Sequence, residues 1–208
     1  MKLRNASLAA LAAIALTGSA SAAIVIAGGN GNFESTIIGD LTSYGSGLYD
    51  GSSTSVAGWT FSGASNFRWL FDNTCPYGPV EDTYALNLTS PSASYANVAT
   101  TTVTGLTGGQ SYYLEFDTAA RTGASGTVTV KVDGTSVGTF DQTTVGATYG
   151  TKSFSFTAAA ATASVEFDYS ALGANDGYML DNVNVIPEPG AALLGGLGML
   201  ALLRRRRA

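Results

Sequence analysis

Paired acidic side chains are the first candidates for chemistry in this sequence. Glu115 and Asp117 stand two residues apart, and so do Glu166 and Asp168. Glycosidases use two carboxylates at a separation set by the mechanism, one of them with a raised pKa. In both pairs a phenylalanine takes the intervening position, so the alternation of a strand turns the ring inward and the carboxylates toward solvent. We therefore interpret both pairs as solvated surface groups.

The absence of histidine removes a large share of ordinary enzyme mechanisms. The chain contains no histidine and a single cysteine, Cys75. Ser-His-Asp and Cys-His nucleophilic catalysis, histidine general-base chemistry and most zinc sites all need histidine. Cys75 alone forms no intramolecular disulfide. Because no motif brings a nucleophile, an acid and oxyanion donors together, we predict that the protein is not an enzyme.

Aromatic side chains beside polar groups offer a second kind of chemistry, the binding of sugars. Trp69 lies in a predicted strand with alternating aromatic residues, and Asp72 and Tyr77 follow that strand. Tyr49 lies in a glycine-rich segment. An aromatic ring with a polar group beside it is suited to a partly wet ligand site. These four residues are our candidates for carbohydrate binding, although the aromatic stripe of the strand could instead be its contribution to the core.

The elements that must position these residues are β-strands. Most segments with a clear period alternate apolar and polar residues, which is typical of half-buried antiparallel strands. Asp133-Gly134 predicts a type I′ hairpin turn, and the glycine-rich stretch 37–56 predicts a long loop. About ten short strands without a convincing helix favour an all-β sandwich of two sheets. The predicted strands are 23–26, 59–62, 67–71, 84–88, 96–103, 112–117, 127–132, 135–140, 153–157, 163–169 and 178–185.

The N-terminus has the three parts of a secretory signal peptide. Lys2 and Arg4 form a positively charged region, residues 8–16 form an apolar region, and small residues at 20–22 offer a cleavage site before Ala23. We predict that residues 1–22 form a signal helix that is removed and that the remainder is exported.

The C-terminus combines an apolar run with a basic cluster. Residues 191–203 carry no charge, and four arginines follow at 204–207. As a helix the apolar run is roughly 20 Å long, against about 30 Å of hydrocarbon in a typical bilayer. A helix docked on the protein's own core would carry polar residues on one face, and none interrupt this run. We predict a short transmembrane helix with its arginines on the cytoplasmic side, which tethers the protein transiently.

The tripeptide Pro187-Glu188-Pro189, with the apolar helix and the arginines that follow it, resembles a known signal. This arrangement is similar to the PEP-CTERM sorting signal of Gram-negative, exopolysaccharide-producing bacteria. The resemblance covers residues 187–208. It implies recognition by a membrane protease of the exosortase type, removal of the helix, and delivery of the body to the cell surface or the extracellular matrix. It implies nothing about what the body does.

Removing both ends changes the charge balance of the protein. The whole chain has a formal net charge of −5, yet six of its ten basic residues lie in the two ends. Residues 23–186 keep four basic residues against fourteen acidic ones, a net charge of −10. Such a surface repels phosphates, so we predict no nucleic-acid partner. Cations, calcium among them, are the natural counter-partners of this surface.

Four short motifs stand out in the body: NGNFE at 30–34, GW at 58–59, GLTGGQSY at 105–112 and YMLDNV at 178–183. Together they resemble galactose-binding-like jelly rolls, a broad group that includes many carbohydrate-binding modules. The resemblance implies a jelly-roll fold, a carbohydrate ligand, and a structural calcium ion held by Glu34 and Asp181. Asn175, Asp176 and Asn182 could add ligands, although Asn-Asp-Gly at 175–177 is also an ordinary turn sequence. Calcium takes six to eight oxygen ligands, which an acidic body can offer.

These expectations divide the chain into three parts. They are a signal peptide at 1–22, a jelly-roll β-sandwich at 23–186 and a sorting signal with its transmembrane helix at 187–208. The predicted function is that of an exported surface or matrix protein that binds exopolysaccharide or another glycan without catalysis. The alternative is a structural adhesin or surface-coat component with no discrete small ligand.

Overall fold

Thirteen β-strands lie in the part of the chain that the structure describes. The structure, a computed structural model, describes residues 23–35, 42–43, 48–51, 56–63, 68–72, 84–89, 96–121, 124–173 and 177–188. The predicted signal peptide, transmembrane helix and arginine cluster lie outside these residues. The strands are β1 Val25–Ile26, β2 Thr42–Ser43, β3 Leu48–Gly51, β4 Trp59–Gly63, β5 Arg68–Asp72, β6 Tyr84–Leu88, β7 Ala96–Thr104, β8 Ser111–Ala120, β9 Thr127–Val132, β10 Thr135–Asp141, β11 Gly150–Thr157, β12 Thr162–Asp168 and β13 Tyr178–Pro187.

The strands form two antiparallel sheets. One sheet has six strands in the order β1-β7-β12-β9-β10, with β4 also paired to β7. The other has seven strands in the order β11-β8-β13-β6-β5-β3-β2. The predicted all-β, two-sheet antiparallel sandwich is confirmed.

Alternation along the strands accounts for the core between the sheets. In β9 the valines at 128, 130 and 132 are buried while the intervening residues are half-buried. The hairpin that joins β9 to β10 turns at Asp133 and Gly134, with φ of 49° and 75°. Positive φ at both central positions is the geometry of a type I′ turn, so that prediction is also confirmed.

Aromatic rings fill the centre of the core. Phe116 of β8 packs edge-to-face on Phe167 of β12, with ring centroids 5.1 Å apart, and also lies 5.5 Å from Phe140. All three rings are buried. Truncating a buried phenylalanine to alanine typically costs about 3–5 kcal/mol, so this cluster contributes strongly to holding the two sheets together.

The predicted long loop at 37–56 is wrong for the residues described there. β2 and β3 lie within it, and β3 pairs with β5 in the register Leu48 to Phe71 and Asp50 to Trp69. Strands of two and four residues are too short to show an alternating pattern. Their pairing depends on backbone hydrogen bonds to a neighbour that is distant in sequence, which glycine and serine content does not reveal.

The last strand ends two residues later than the predicted strand 178–185. β13 continues through Pro187, and the Glu188 N–H donates to the carbonyl oxygen of Ser111 at 3.0 Å. Two residues of the predicted sorting motif are therefore joined to the sandwich. Pro189 lies outside the described residues. Within the described ranges, no helix is both long and apolar enough to cross a membrane.

Candidate functional site

The segment Asn30–Glu34 connects the two sheets near the start of the body. Asn30 is fully buried, and both ends of its side-chain amide form hydrogen bonds. Its Nδ2 donates to the Ala57 carbonyl at 3.2 Å, and its Oδ1 accepts from the Ser35 N–H at 2.9 Å. Its own carbonyl accepts from the indole Nε1 of Trp59 at 2.9 Å. One asparagine thus satisfies backbone groups on both sides of a tight turn, which fixes the path of the chain.

Phe33 and Glu34 complete that anchor. Phe33 is fully buried at a φ of 59°, unusual for an aromatic residue, and its ring lies 5.0 Å from that of Trp59. Glu34 Oε1 accepts a hydrogen bond from the Tyr84 N–H at 2.8 Å, at the start of β6. The NGNFE motif is therefore a structural element that holds the N-terminal segment against the sandwich.

Gly31 brings this segment against β13. The Val183 N–H donates to the Gly31 carbonyl at 2.8 Å. A Cβ atom at position 31 would collide with the carbonyl oxygen of Val183. Glycine is required here because the two backbones approach more closely than a side chain allows.

A β-bulge at Asn182 shapes the facing strand. The register between β13 and β8 shifts between Asp181 and Asn184, and Asn182 has a φ of 48°. Asp181 Oδ1 accepts from the Asn182 N–H at 2.7 Å, while Asp117 Oδ2 accepts from Asn182 Nδ2 at 3.1 Å. Bulges bend a strand and redirect side chains. Here Asp181 fixes the backbone N–H of Asn182 and Asp117 fixes its side-chain amide.

An open groove of about 410 Å³ lies between the N-terminal segment and this bulge. None of the described residues that line it is charged. Val25, at 42% exposure, is the large apolar side chain that stands open to solvent among those the structure describes. The lining residues are Ile24, Val25, Ile26, Gly29, Gly31, Asn32, Asn182, Val183 and Asn184.

The three asparagines of the groove have defined orientations. Asn184 Oδ1 accepts from the Val185 N–H at 2.8 Å, and Asn32 Oδ1 accepts from the Glu34 N–H at 3.4 Å. Because a backbone donor requires the oxygen end of each amide, the Nδ2 groups of Asn32 and Asn184 remain available as donors. Asn182 donates its Nδ2 to Asp117 and keeps Oδ1 as an acceptor. The groove thus offers donors and an acceptor without charge.

The predicted calcium ligands have other contacts in this structure. Glu34 Oε1 is bonded to the Tyr84 N–H, and the fully buried Asp181 bonds the Asn182 N–H. Asp181 does lie directly opposite Asp117 in the ladder. Within the described ranges no three or more acidic, cysteine or histidine residues form a group that could hold a metal ion. These residues do not make up a calcium shell by themselves, and Asn175 and Asp176 lie outside the description.

The four residues predicted to bind carbohydrate lie partly outside the residues that the structure describes. The backbone places Trp69 and Asp72 in β5 and Tyr49 in β3, with Tyr49 opposite Leu70, one row from Trp69. Tyr77 is not among the described residues. Trp69 also pairs with Asn87, whose side chain is buried and whose Oδ1 has no hydrogen-bond partner in the described part of the chain. The role of these residues in sugar binding stays a prediction.

The acidic pairs show no catalytic arrangement. Asp168 Oδ2 pairs with Lys131 Nζ at 2.8 Å, with both side chains partly exposed. Partial burial opposes ionisation of Asp168, yet hydrogen bonds from Lys131 and Ser170 outweigh it and lower the Asp168 pKa. A glycosidase acid needs the opposite shift. Asp117 is bonded to Thr151 and Asn182, which gives it a structural role.

Sequence reasoning missed the groove. It considered Asn182 only as an extra calcium ligand and gave no role to Asn32 or Asn184. The signal that could have revealed them is the run Asp181-Asn182-Val183-Asn184, where polar residues break the expected apolar alternation at a bulge. Which segment faces that bulge depends on a contact between residues about 150 positions apart, and no local pattern shows it.

Comparison with known proteins identifies no family for this chain. No protein-family model matches the chain, and no characterised protein matches its sequence. Solved structures do match. The chain is structurally similar to carbohydrate-binding modules.

Three of these structures illustrate the similarity. A CBM4 module matches with a TM-score of 0.42 and 18% identity, over 63% of this chain and 95% of that one. A CBM36 module in complex with calcium and xylotriose matches with a TM-score of 0.38 and 14% identity, over 51% and 91%. The C-terminal domain of the sugar-binding protein EclA gives 0.37 and 19%, over 42% of this chain and 64% of its own length, less than two thirds. At such low scores these similarities lend no weight to a particular function.

Proposed function

We propose that this protein is an exported, non-catalytic glycan-binding protein with a jelly-roll sandwich, and that the groove beside the β13 bulge is its binding site. The observation that carries the proposal is the uncharged lining of that groove, in which backbone N–H groups orient Asn32 and Asn184 and the Asp117 carboxylate orients Asn182. Sugars present hydroxyl groups that donate and accept, and an amide pairs with both. Ligand sites typically combine an apolar wall with a few placed polar groups in a cleft of about 300–1,000 Å³.

The rigidity of the groove supports this proposal. Gly31 and Val183 join its two walls through a backbone hydrogen bond, while Asn30 and Trp59 hold the N-terminal wall from behind. A site that is already formed loses less conformational freedom when it binds a ligand. The chain's lack of histidine and the solvated positions of its acidic pairs favour binding without catalysis.

The two ends of the chain support export and sorting. The sandwich continues to Pro187 and Glu188, so the tripeptide begins at the last residue of β13. Cleavage near the tripeptide by an exosortase-type protease would release the helix and leave the sandwich whole. The mature protein would then lie on the cell surface or in the exopolysaccharide matrix. An intact-mass measurement on surface-extracted protein tests this route, and a mass that includes residues 191–208 contradicts it.

The test of binding uses the full exported chain. A glycan array and a pull-down with the producing cell's own polysaccharide should show saturable binding. Asn184→Ala should weaken that binding, whereas Asn97→Ala, in β7 and outside the groove, should leave it unchanged. Absence of saturable binding, with self-association retained, would contradict the proposal and favour a structural coat protein. Release of reducing ends from the bound glycan would contradict the non-catalytic part.

A further inference from the structure

We infer that the groove selects neutral glycans and discriminates against acidic ones, an inference that rests on the proposed function. The inference is based on the hydrogen-bonding groups that line the groove and on the carboxylates of Asp117 and Asp181, which bond Asn182. Asn32 and Asn184 each keep an Nδ2 group as a donor, while Asn182 keeps Oδ1 as an acceptor. A ligand that uses all three must both accept and donate.

Hydroxyl groups meet this requirement and carboxylates do not. A sugar hydroxyl can accept from Asn32 or Asn184 and donate to Asn182 at the same time or through its neighbour on the ring. An ionised carboxylate only accepts. A uronic acid whose carboxylate lies against Asn182 would leave the Asn182 oxygen facing an acceptor, and losing a hydrogen-bond partner on binding is costly.

The charges around the groove act in the same direction. Asn182 is held by Asp117 and Asp181, both one hydrogen bond away from its amide or backbone N–H. The described residues that line the groove include no lysine or arginine to balance these carboxylates. Residues 23–186 as a whole carry a net charge of −10. An anionic polymer is therefore repelled both in the groove and over the surface.

Val25 contributes an apolar surface to the same groove. Its side chain is 42% exposed, beside the polar Asn182 and Asn184. The C–H face of a neutral pyranose ring is apolar and its edge carries hydroxyls, so the ring can cover Val25 while it bonds the amides. Burying such surface contributes about 25 cal/mol per Å², which favours a ring over an extended charged group.

The experiment compares one glycan in two charge states. The strongest ligand from the array is measured before and after oxidation of its primary hydroxyls to carboxylates, at low and at high ionic strength. We expect the neutral form to bind at least tenfold more tightly, about 1.4 kcal/mol. Salt should leave the neutral affinity unchanged and partly restore the acidic one, because added salt screens repulsion.

Two variants connect the selectivity to the groove. Asn184→Asp keeps the acceptor for the Val185 N–H, loses the donor and adds a charge, so it should weaken neutral binding by about tenfold. Asn184→Lys should reduce the ratio of the affinity for the neutral glycan to the affinity for its oxidised form. Asn97→Asp adds the same charge outside the groove. It should change neither the affinity for the neutral glycan nor the ratio of the two affinities. An acidic glycan as the strongest ligand, or an oxidised form that binds equally well, overturns the inference while leaving glycan binding intact. Failure of every glycan to bind overturns the proposed function itself.

Discussion

Asp117 Oδ2 accepts a hydrogen bond from Asn182 Nδ2 at 3.1 Å, across the neighbouring strands β8 and β13. The bond fixes the extra residue of the bulge in its left-handed conformation, with Asp181 holding the backbone of the same residue. A carboxylate that looks like a catalytic candidate in the sequence is thus a positioning group. It sets the orientation of an amide that lines the groove.

The Asp117 contact predicts that one substitution lowers both glycan affinity and stability. Asp117→Ala frees the Asn182 amide, and we expect glycan affinity to fall several-fold while the free energy of unfolding falls by about 1 kcal/mol. Removal of a like charge opposite Asp181 offsets part of the stability cost. Glu166→Ala removes the same charge from the other sheet and should leave affinity unchanged. Calorimetric binding and urea unfolding measure both quantities; equal affinity in Asp117→Ala and wild type would refute the role of this contact.

The approach of Gly31 to Val183 predicts strong sensitivity at position 31. Gly31→Ala places a methyl group against the Val183 carbonyl oxygen, so one wall of the groove must move. Overpacking of this kind typically costs about 1–3 kcal/mol, and binding should be lost with it. Gly150→Ala is the control, because a Cβ there meets no atom within 4 Å. Thermal unfolding of both variants gives the comparison, and a Gly31→Ala protein as stable as Gly150→Ala would show that the close approach is not required.

The Lys131–Asp168 pair predicts a defined pH dependence of stability. Burial works against ionisation of Asp168, but its hydrogen bonds lower its pKa in the folded state. A lowered folded pKa means that the stabilisation is present above the unfolded value, about 3.9, and is lost as pH falls through the folded pKa. Hydrogen bonding to Asp168 raises the Lys131 pKa, so its contribution is lost only as pH rises through that raised value.

Wild type and Asp168→Asn should therefore differ in free energy of unfolding by a constant amount near neutral pH. The difference should shrink at acid pH below the ordinary aspartate range. Denaturant unfolding at a series of pH values measures it. A difference that grows toward acid pH would mean that the folded pKa of Asp168 is not lowered.

The predicted calcium site is tested separately from the groove. If Glu34 and Asp181 hold calcium, chelator lowers the melting temperature of wild type, since an ion bound to the folded state stabilises it. Glu34→Gln keeps an oxygen for the Tyr84 N–H but loses the charge that calcium favours, so its melting temperature should not respond to chelator. An unchanged wild-type midpoint removes both residues as metal ligands.

Most strands of the sandwich could be predicted from the sequence, whereas most of the candidate site could not. β9 has the bounds that alternation predicts, because a strand with one buried face shows period two in its own residues. β2 and β3 escaped prediction because they are short and depend on β5 for pairing. Asn30, Gly31 and Phe33 were noticed as a motif, yet their contacts with Ala57, Val183 and Trp59 required the folded chain.

The groove could not be predicted from the sequence either, because it also depends on contacts between distant segments. Asn32 and Asn184 are ordinary polar residues, and they line one groove only because Gly31 and Val183 bond across the fold. By contrast, Trp69 drew attention because tryptophan beside polar residues suggests sugar binding. Its cross-strand partner Asn87 is buried with an unbonded Oδ1 in the described part of the chain, so the two locations are distinct candidates that one experiment can separate.

A two-dimensional NMR titration of the isotope-labelled protein with its strongest array ligand tests the groove most directly. If the groove binds the glycan, the side-chain amide signals of Asn32, Asn182 and Asn184 shift first, together with the backbone amide of Val183, and all follow one saturable curve. Shifts confined to β3 and β5 around Trp69, with the three asparagine signals unmoved, would contradict it.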